Sequence, residues 1–366
     1  MNSLLAKANI KIRSLIPPNE MEPCSGYFRN GFLHMSIASA GCRFRNAGYC
    51  SMCDYGRGKT ASKADVIHFM ERVWREISDP VHEVLVGSCG SFFDHCEISE
   101  GVRDAVLRFL SAHPTPSVIF ETHYTTVTAD NLTHVKNVLA GSAGEITIEM
   151  GLESAEPYIL ENSINKFMDL SALHATIKLV KSFDMSVVLN VLLGAPFLTP
   201  ALQLADAEQA IRWALDNGAD GVVVFPANIK NGALTGYLNN IGRYDRQNAW
   251  LLVELLSRVS YSMSGKIELS WYGDRQKQGI EKNALPPYAC EKCDDSLQEF
   301  FTAYNNMRSN AEARQNLIAE LLSRTGMCDC FAHMKASLDQ NDENAETLIS
   351  RELTLLAQEF SVEGDW

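Results

Sequence analysis

The chain has 366 residues, 46% hydrophobic and 21% charged, the make-up of a folded globular protein and not of a disordered one. Its formal net charge of −13 argues against a broad nucleic-acid surface, because phosphate binding rests on Lys and Arg. Ten cysteines without a secretory leader point to reduced thiols used as metal ligands in a cytoplasmic setting, and not to a disulfide framework.

Residues 1–33 read as an N-terminal extension. Met1 to Ile16 carries Lys7, Lys11 and Arg13 but no continuous apolar core, so it is no secretory signal. No stretch reaches the roughly eighteen apolar residues of a bilayer span, since even Met185 to Leu198 is broken by Asn190 and Pro196. A first strand is expected over His34 to Ala40, followed by Gly41-Cys-Arg-Phe-Arg-Asn-Ala-Gly-Tyr-Cys-Ser-Met-Cys-Asp-Tyr-Gly56, which places Cys42, Cys50 and Cys53 in one loop. Structural zinc is normally closed by four ligands, whereas a cube held by three cysteines keeps one iron open to an outside ligand. A zinc loop borrowing Cys24, Cys89 or Cys96 is the plainer alternative. Arg43, Arg45, Arg57, Lys59 and Lys63 surround the loop. They read either as solvated charge or as a docking face for an acidic electron donor such as a flavodoxin or ferredoxin.

Further strands are expected at His82 to Gly87, Ser117 to Glu121, Glu145 to Gly151, Met185 to Leu193 and Gly221 to Phe225. Amphipathic helices fall between them at Ala64 to Ile77, Gly101 to Ala112, Ala129 to Ala140, Ser171 to Phe183 and Gln203 to Asn217. This alternation is the signature of βα units around a parallel sheet. Parallel strands bind ligands at their carboxyl ends, and there the chain places its unusual residues: Gly87, Ser88 and Gly90; Glu121, His123 and Tyr124; Glu153; and Gly194 to Pro196. A carboxylate inside an apolar barrel mouth must be paired. Glu121 and Glu153 therefore face either a bound ligand or a base such as Lys166. His123, Tyr124, Asn190 and Asn228 are candidates for substrate contact or satisfied polar groups of the core, and Cys89 reads as a small buried residue.

After the sixth strand, Asn228 to Tyr244 reads as loop, Arg246 to Met263 as helix, and Ile267 to Tyr272 as a strand extending the sheet. Cys290, Cys293, Cys328 and Cys330 have the count of a closed tetrahedral sulfur site for zinc or an auxiliary iron–sulfur cluster, with zinc favoured. A helix over Glu343 to Phe360 is expected to pack on the body.

The C-x7-C-x2-C loop, the strand before it and Met52 before its last cysteine resemble the cluster loop of the radical S-adenosylmethionine (SAM) superfamily, and the long first gap resembles its Elp3-like branch. Met150-Gly-Leu-Glu-Ser-Ala-Glu-Pro157, Asn162-Ser-Ile-Asn-Lys166, Leu192-Leu-Gly-Ala-Pro-Phe-Leu-Thr199 and Phe225-Pro-Ala-Asn-Ile-Lys-Asn-Gly-Ala-Leu234 resemble the RaSEA family, the radical SAM subunits of archaeosine synthase. The resemblance covers roughly residues 30–270. It implies an α/β fold with a partial (β/α)6 radical SAM barrel over 34–272 and a C-terminal cysteine-containing helical extension over 273–366. It implies a [4Fe-4S] cluster on Cys42, Cys50 and Cys53, and SAM held near Met52, Gly87, Ser88, Gly90, Glu121, Glu153, Gly194 and Pro196. SAM is then cleaved to methionine and a 5′-deoxyadenosyl radical that takes hydrogen from the substrate. In the RaSEA family the outcome is C–N cleavage in a lysine-derived side chain on a 7-deazaguanine of tRNA. Phe167 stands where that family has glycine, and Gly194-Ala195 replaces its Lys-Pro, so the cofactor chemistry transfers better than the substrate. A small amine-bearing or partner-delivered substrate is expected, and bulk tRNA binding is not. The alternatives are a radical SAM enzyme of natural-product or cofactor biosynthesis, and a non-catalytic zinc-bearing nucleic-acid-binding protein.

Overall fold

Eight strands lie side by side in their sequence order: β1 Cys24–Arg29, β2 Phe32–Ile37, β3 Glu83–Ser88, β4 Thr115–Thr122, β5 Ala143–Glu153, β6 Ser186–Leu193, β7 Gly221–Pro226 and β8 Ile267–Leu269. The computed structural model describes residues 1–16, 22–39, 41–54, 60–88, 90–270, 284–324, 328–339 and 343–361. The expectations placed on Ala40, Arg57, Lys59, Cys89 and residues 271–272 lie outside these residues. β2 to β8 run parallel, as the alternating pattern requires, and β1 is antiparallel to β2.

The sheet is longer than six strands at both ends. β8 is the expected continuation of the sheet and pairs with β7. β1 lies in the segment read as an extension. Asn30 and Gly31 join it to β2, both with positive φ (49° and 81°), the backbone that a two-residue Asn-Gly hairpin turn demands. β1 itself, Cys-Ser-Gly-Tyr-Phe-Arg, shows no clean alternation. Ahead of it, Ser3–Ser14 is a helix capped by the Asn2 side chain, with Leu5, Ala8, Asn9 and Ile12 buried at helical spacing. Two further expectations are corrected. Asn228 to Tyr244 contains a short helix, Leu234–Asn240, and the expected single helix over Arg246 to Met263 is two, Trp250–Arg258 and Tyr261–Ser264, parted by extended backbone at Val259 and Ser260.

Strand alternation divides the sheet into two faces. Leu33, Met35 and Ile37 of β2, Val84 and Val86 of β3, Val118 and Phe120 of β4, and Ile148 and Met150 of β5 point into a core shared with the covering helices. Lys63–Glu76 among those helices starts with a reciprocal Ser62–Asp65 capping box, and Pro200–Asp216 starts with Pro200 behind a Thr199 cap. The register sets Ser36 beside Gly87, Glu121 beside Glu149, and Gly151 beside Asn190 on the other face. A second apolar cluster sits at the carboxyl end of the sheet. Leu5 and Ile12 meet Ile159, Leu160, Ile164, Leu192, Ile229, Leu234 and Leu238 there, together with Ile349 and Leu356 of the helix Ala345–Ser361. That helix therefore packs on the body, tied by Arg243 to Glu352 and Glu359.

The late helices attach through a buried cation. Arg314, in helix Ala311–Ser323, is fully buried and donates to the carbonyls of Ser264 (2.9 Å), Ile267 (2.7 Å) and Tyr304 (3.1 Å) while lying 4.4 Å from the Tyr304 ring. Removing it takes the charged donor from three carbonyls, of which those of Ser264 and Tyr304 keep a second donor, Tyr304 Oη and Met307 N, and that of Ile267 on β8 loses its side-chain partner. Arg314→Ala should therefore cost about 3 kcal/mol or more, read as a lower denaturation midpoint, and an unchanged midpoint contradicts this anchoring role.

Candidate active site

The cysteine loop leaves β2 at the carboxyl end of the sheet. Cys42 caps the short helix Arg43–Asn46, and Cys50 takes positive φ (57°). The loop's shape is set from outside itself. Cys50 N donates to Asn165 O (2.9 Å), Ser51 N to Ile164 O (2.7 Å), and Leu234 N to Ser51 O (2.8 Å). Asn9 Nδ2 donates to Gly48 O (2.9 Å), as does Asn165 Nδ2 (3.3 Å). The guanidinium of Arg13 donates to the carbonyls of Arg45, Tyr49 (2.8 Å), Cys50 (2.9 Å) and Cys53 (3.1 Å). Gly48 has φ +88°, and a Cβ there would lie 2.4 Å from Ala6 O, so the loop and helix Ser3–Ser14 touch backbone to backbone.

The three thiols are not gathered as the ligands of a single zinc ion are. Sulfurs around one tetrahedral zinc stand about 3.8 Å apart, given Zn–S near 2.3 Å. Among the described residues, Cys42, Cys50 and Cys53 form no group with ligand atoms all within 4.8 Å, and neither Cys24 nor Cys96 joins them in one. Burial pushes the Cys50 thiol up to about 12 and the Cys42 thiol up to about 11, in the latter case with Glu97 adding to it. These sulfurs become thiolates at neutral pH only when a metal supplies the compensating positive charge.

Glu153 meets Lys166. Its carboxylate accepts from Nζ at 2.8 Å with both side chains buried, and a β-bulge with φ 68° turns it off the strand. A Cβ on Gly151 would fall 2.5 Å from each partner, so glycine is needed for the pair to pass. Burial alone would lower the Lys166 ammonium, but Glu153 and then Cys50 hold it above its ordinary value. Lys166 is thus a fixed cation beside the cluster loop.

Glu97, which sequence reasoning passed over, ties the loop to the turn after β3. It accepts from Arg43 N (2.9 Å) and Ser91 N (2.6 Å), and a Cβ on Gly90 would overlap its carboxylate. The neighbouring Asp94 pairs with Arg43 Nε at 3.1 Å. Gly87 lies under Glu121 and His34, whose Oε2 and Nε2 would be 2.4 and 3.1 Å from a Cβ placed there.

Of the remaining expected site residues, Ser88, Asn190 and Asn228 share a feature. Ser88 Oγ, Asn190 Oδ1 and Asn228 Oδ1 are buried without a hydrogen-bond partner among the described residues, and so is Ser270 Oγ beyond β8. Orphaned oxygens at the end of β3, within β6 and just beyond β7 and β8 fit a site that a polar ligand completes. His123 stacks on Phe44 (4.2 Å), which also stacks on Phe167 (5.5 Å), and burial followed by Lys166 pushes its imidazole down to about 3. Tyr124 is turned away, its hydroxyl accepting from Asp169 N (3.0 Å). Gly194 and Pro196 are engaged by protein: the Gly194 carbonyl accepts from Tyr244, Gln247 fills the space where a Gly194 Cβ would lie, and the Pro196 carbonyl accepts from Ser163. Met52 packs at the edge of the carboxyl-end apolar cluster.

The chain is 27% identical to the archaeosine synthase subunit beta of Methanosarcina acetivorans over 355 residues, covering 92% of this chain and 97% of the relative. That likeness runs along nearly the whole of both chains, and in this chain the three-cysteine loop lies at the carboxyl end of a parallel sheet. No family model matches. Among solved structures, the archaeal Elp3 of Methanocaldococcus infernus is 11% identical, with TM-score 0.45, covering 66% of this chain and 59% of that one. The radical SAM methyltransferase TsrM of Kitasatospora setae is 14% identical with TM-score 0.36, covering 54% of this chain, which thus spans about a third (36%) of TsrM. Among the described residues no helix is long and apolar enough to cross a membrane.

Two outcomes follow from the geometry. Arg13→Ala removes a charged donor from the loop carbonyls, which is worth about 1.5–3 kcal/mol. Amide exchange at Cys50 and Ser51 should accelerate by roughly ten- to a hundredfold, and unchanged protection would show that Arg13 does not hold the loop. Glu153→Gln should destabilise the fold by about 3–5 kcal/mol because Lys166 is left buried and uncompensated. The Glu153→Gln, Lys166→Met double variant should recover much of that loss, and equal denaturation midpoints for the single and double variants would dissolve the pairing.

Proposed function

We propose that Cys42, Cys50 and Cys53 hold a [4Fe-4S] cluster, and that SAM occupies the mouth lined by Gly87, Ser88, Gly90, Glu121, Asn190 and Asn228. The bound pair supplies one-electron cleavage of SAM to methionine and a 5′-deoxyadenosyl radical. The place of the three cysteines in one loop at the carboxyl end of the parallel sheet carries the reading, supported by the unsatisfied oxygens of Ser88, Asn190 and Asn228.

The chain's own residues have distinct parts. Arg13 and Asn9 fix the loop carbonyls so that the three sulfurs keep their spacing. Glu97 holds the turn after β3 against the loop, so that the backbone at Gly87 and Gly90 faces the same space as the thiols. The Glu153–Lys166 pair stands beneath Cys50 and sets a local positive charge near the sulfurs without leaving a bare ion in the core. Glu153 therefore serves through Lys166, and Ser88, Asn190 and Asn228 remain the side chains with free acceptor capacity toward a ligand. His123, held neutral and stacked on Phe44, lines the rim.

The finer proposal is a radical reaction on an amine-bearing side chain with C–N cleavage, in line with the curated relative. The substrate is small or delivered by a partner, and electrons come from an acidic flavodoxin- or ferredoxin-type donor meeting Arg43 and Arg45. Phe167 favours a departure from a tRNA-borne base, since its half-exposed ring stacks on Phe44 at the rim where the resembling family has glycine.

Cys50→Ala, reconstituted anaerobically with iron and sulfide, should form no 5′-deoxyadenosine while keeping its circular dichroism; robust SAM cleavage by that variant would sink the proposal. Titration with bulk tRNA at several salt concentrations should show weak binding. Tight binding with a log–log salt slope of several phosphate contacts would turn the substrate reading to tRNA.

A further inference from the structure

Cys290, Cys293, Cys328 and Cys330 converge away from the cysteine loop. Sγ separations are 3.3 Å for Cys290–Cys328, 3.3 Å for Cys328–Cys330 and 3.5 Å for Cys330–Cys293, and all four sulfurs lie within 4.8 Å of one another. These are not disulfides, in which the sulfurs are about 2.05 Å apart. They are close to the roughly 3.8 Å expected around one tetrahedral zinc. A cube sets irons and sulfides between its cysteines and holds them further apart than these four stand.

The surroundings are those of a closed site. Cys293 N and Asp294 N both donate to Cys290 O (3.0 and 2.9 Å), folding the first pair into a knuckle. Trp250 Nε1 donates to Cys330 Sγ at 3.2 Å, and Asn248 Nδ2 to the Cys330 carbonyl at 3.3 Å. Such outer hydrogen bonds orient thiolate ligands. Four protein sulfurs leave no position for water or substrate, so the ion has no Lewis-acid role, and zinc has no redox one.

The backbone on the amino side of the knuckle leads to the active-site wall. Tyr288 N donates to Gln247 O (2.9 Å) and Ala249 N to Tyr288 O (3.3 Å). Leu285 and Ile229 exchange both backbone hydrogen bonds (3.0 and 2.9 Å). Ile229 follows Asn228, and Gln247 fills the space against Gly194. Residues 284–293 thus form a strap from the four sulfurs to the β6 and β7 ends.

We propose that these four thiolates hold one zinc ion, and that the ion fixes the strap 284–293 and through it the wall carrying Asn228. The zinc assignment is independent of the radical SAM reading, because it concerns different ligands and is read by metal content. The role given to Asn228 rests on that reading.

Elemental analysis of the anaerobically purified full chain should give one zinc per chain, retained in the Cys42→Ala, Cys50→Ala, Cys53→Ala variant. The same variant produced with cobalt should show the intense sulfur-to-cobalt and d–d absorption of a tetrahedral tetrathiolate. Iron in that variant, with or without sulfide, overturns the proposal, and so does a metal-free protein with four titratable late thiols. Cys290→Ser, Cys328→Ser should lose the zinc and keep cluster iron. If that variant does not fold, the cobalt spectrum decides the metal on its own. For the strap, Cys330→Ser should speed amide exchange at Ile229 and Leu285 by at least tenfold, and unaltered exchange at both overturns the coupling to the wall.

Discussion

The loop Cys42 to Cys53 takes its shape from groups that belong to other elements. Its carbonyls point at Asn9 and Arg13 of one helix, and its amides at Ile164 and Asn165 of another segment. A loop with three potential metal ligands and two unusual backbone positions, Gly48 and Cys50, has no intrinsic reason to hold one conformation. The external donors remove that freedom before any metal binds. The loop's shape follows from this restraint, while Glu97 holds the turn after β3 against it and Glu153 holds Lys166 beside it.

Electrostatics act in the same direction. The protein as a whole carries −13, yet Arg13, Arg43 and Lys166 are gathered around the three thiols, of which burial pushes those of Cys42 and Cys50 up. Each of these cations is partnered: Arg13 by carbonyls, Arg43 by Asp94, Lys166 by Glu153. The site therefore offers positive potential at short range without isolated charge in the core, which suits a centre that must accept an extra electron.

Much of this was legible from residue order. The parallel strands and covering helices followed from alternation and periodicity. What was not legible came from contacts between distant segments. Arg13 looked like one of three scattered basic residues, although Leu5, Ala8, Asn9 and Ile12 already marked a buried helical face. β1 was hidden by its mixed composition, while the Asn30-Gly31 turn that would have revealed it was in plain sight. Glu97 lies in no motif; only the fold brings it under Gly90. For Glu153, a strand-end carboxylate could serve a ligand or a lysine, and the bulge at Gly151 to Glu153, invisible in sequence, delivers it to Lys166.

The apolar cluster at the carboxyl end of the sheet has a temporal meaning. Leu5 and Ile12, which seat the helix bearing Asn9 and Arg13, are packed together with Ile349 and Leu356. These partners are separated by more than three hundred residues of chain, and such contacts form late because loop closure must be paid for before they give anything back. During synthesis the three-cysteine loop exists long before the helix that shapes it has a complete seat. Whatever fills the loop should therefore meet its finished shape only after the helix Ala345–Ser361 has been made and packed.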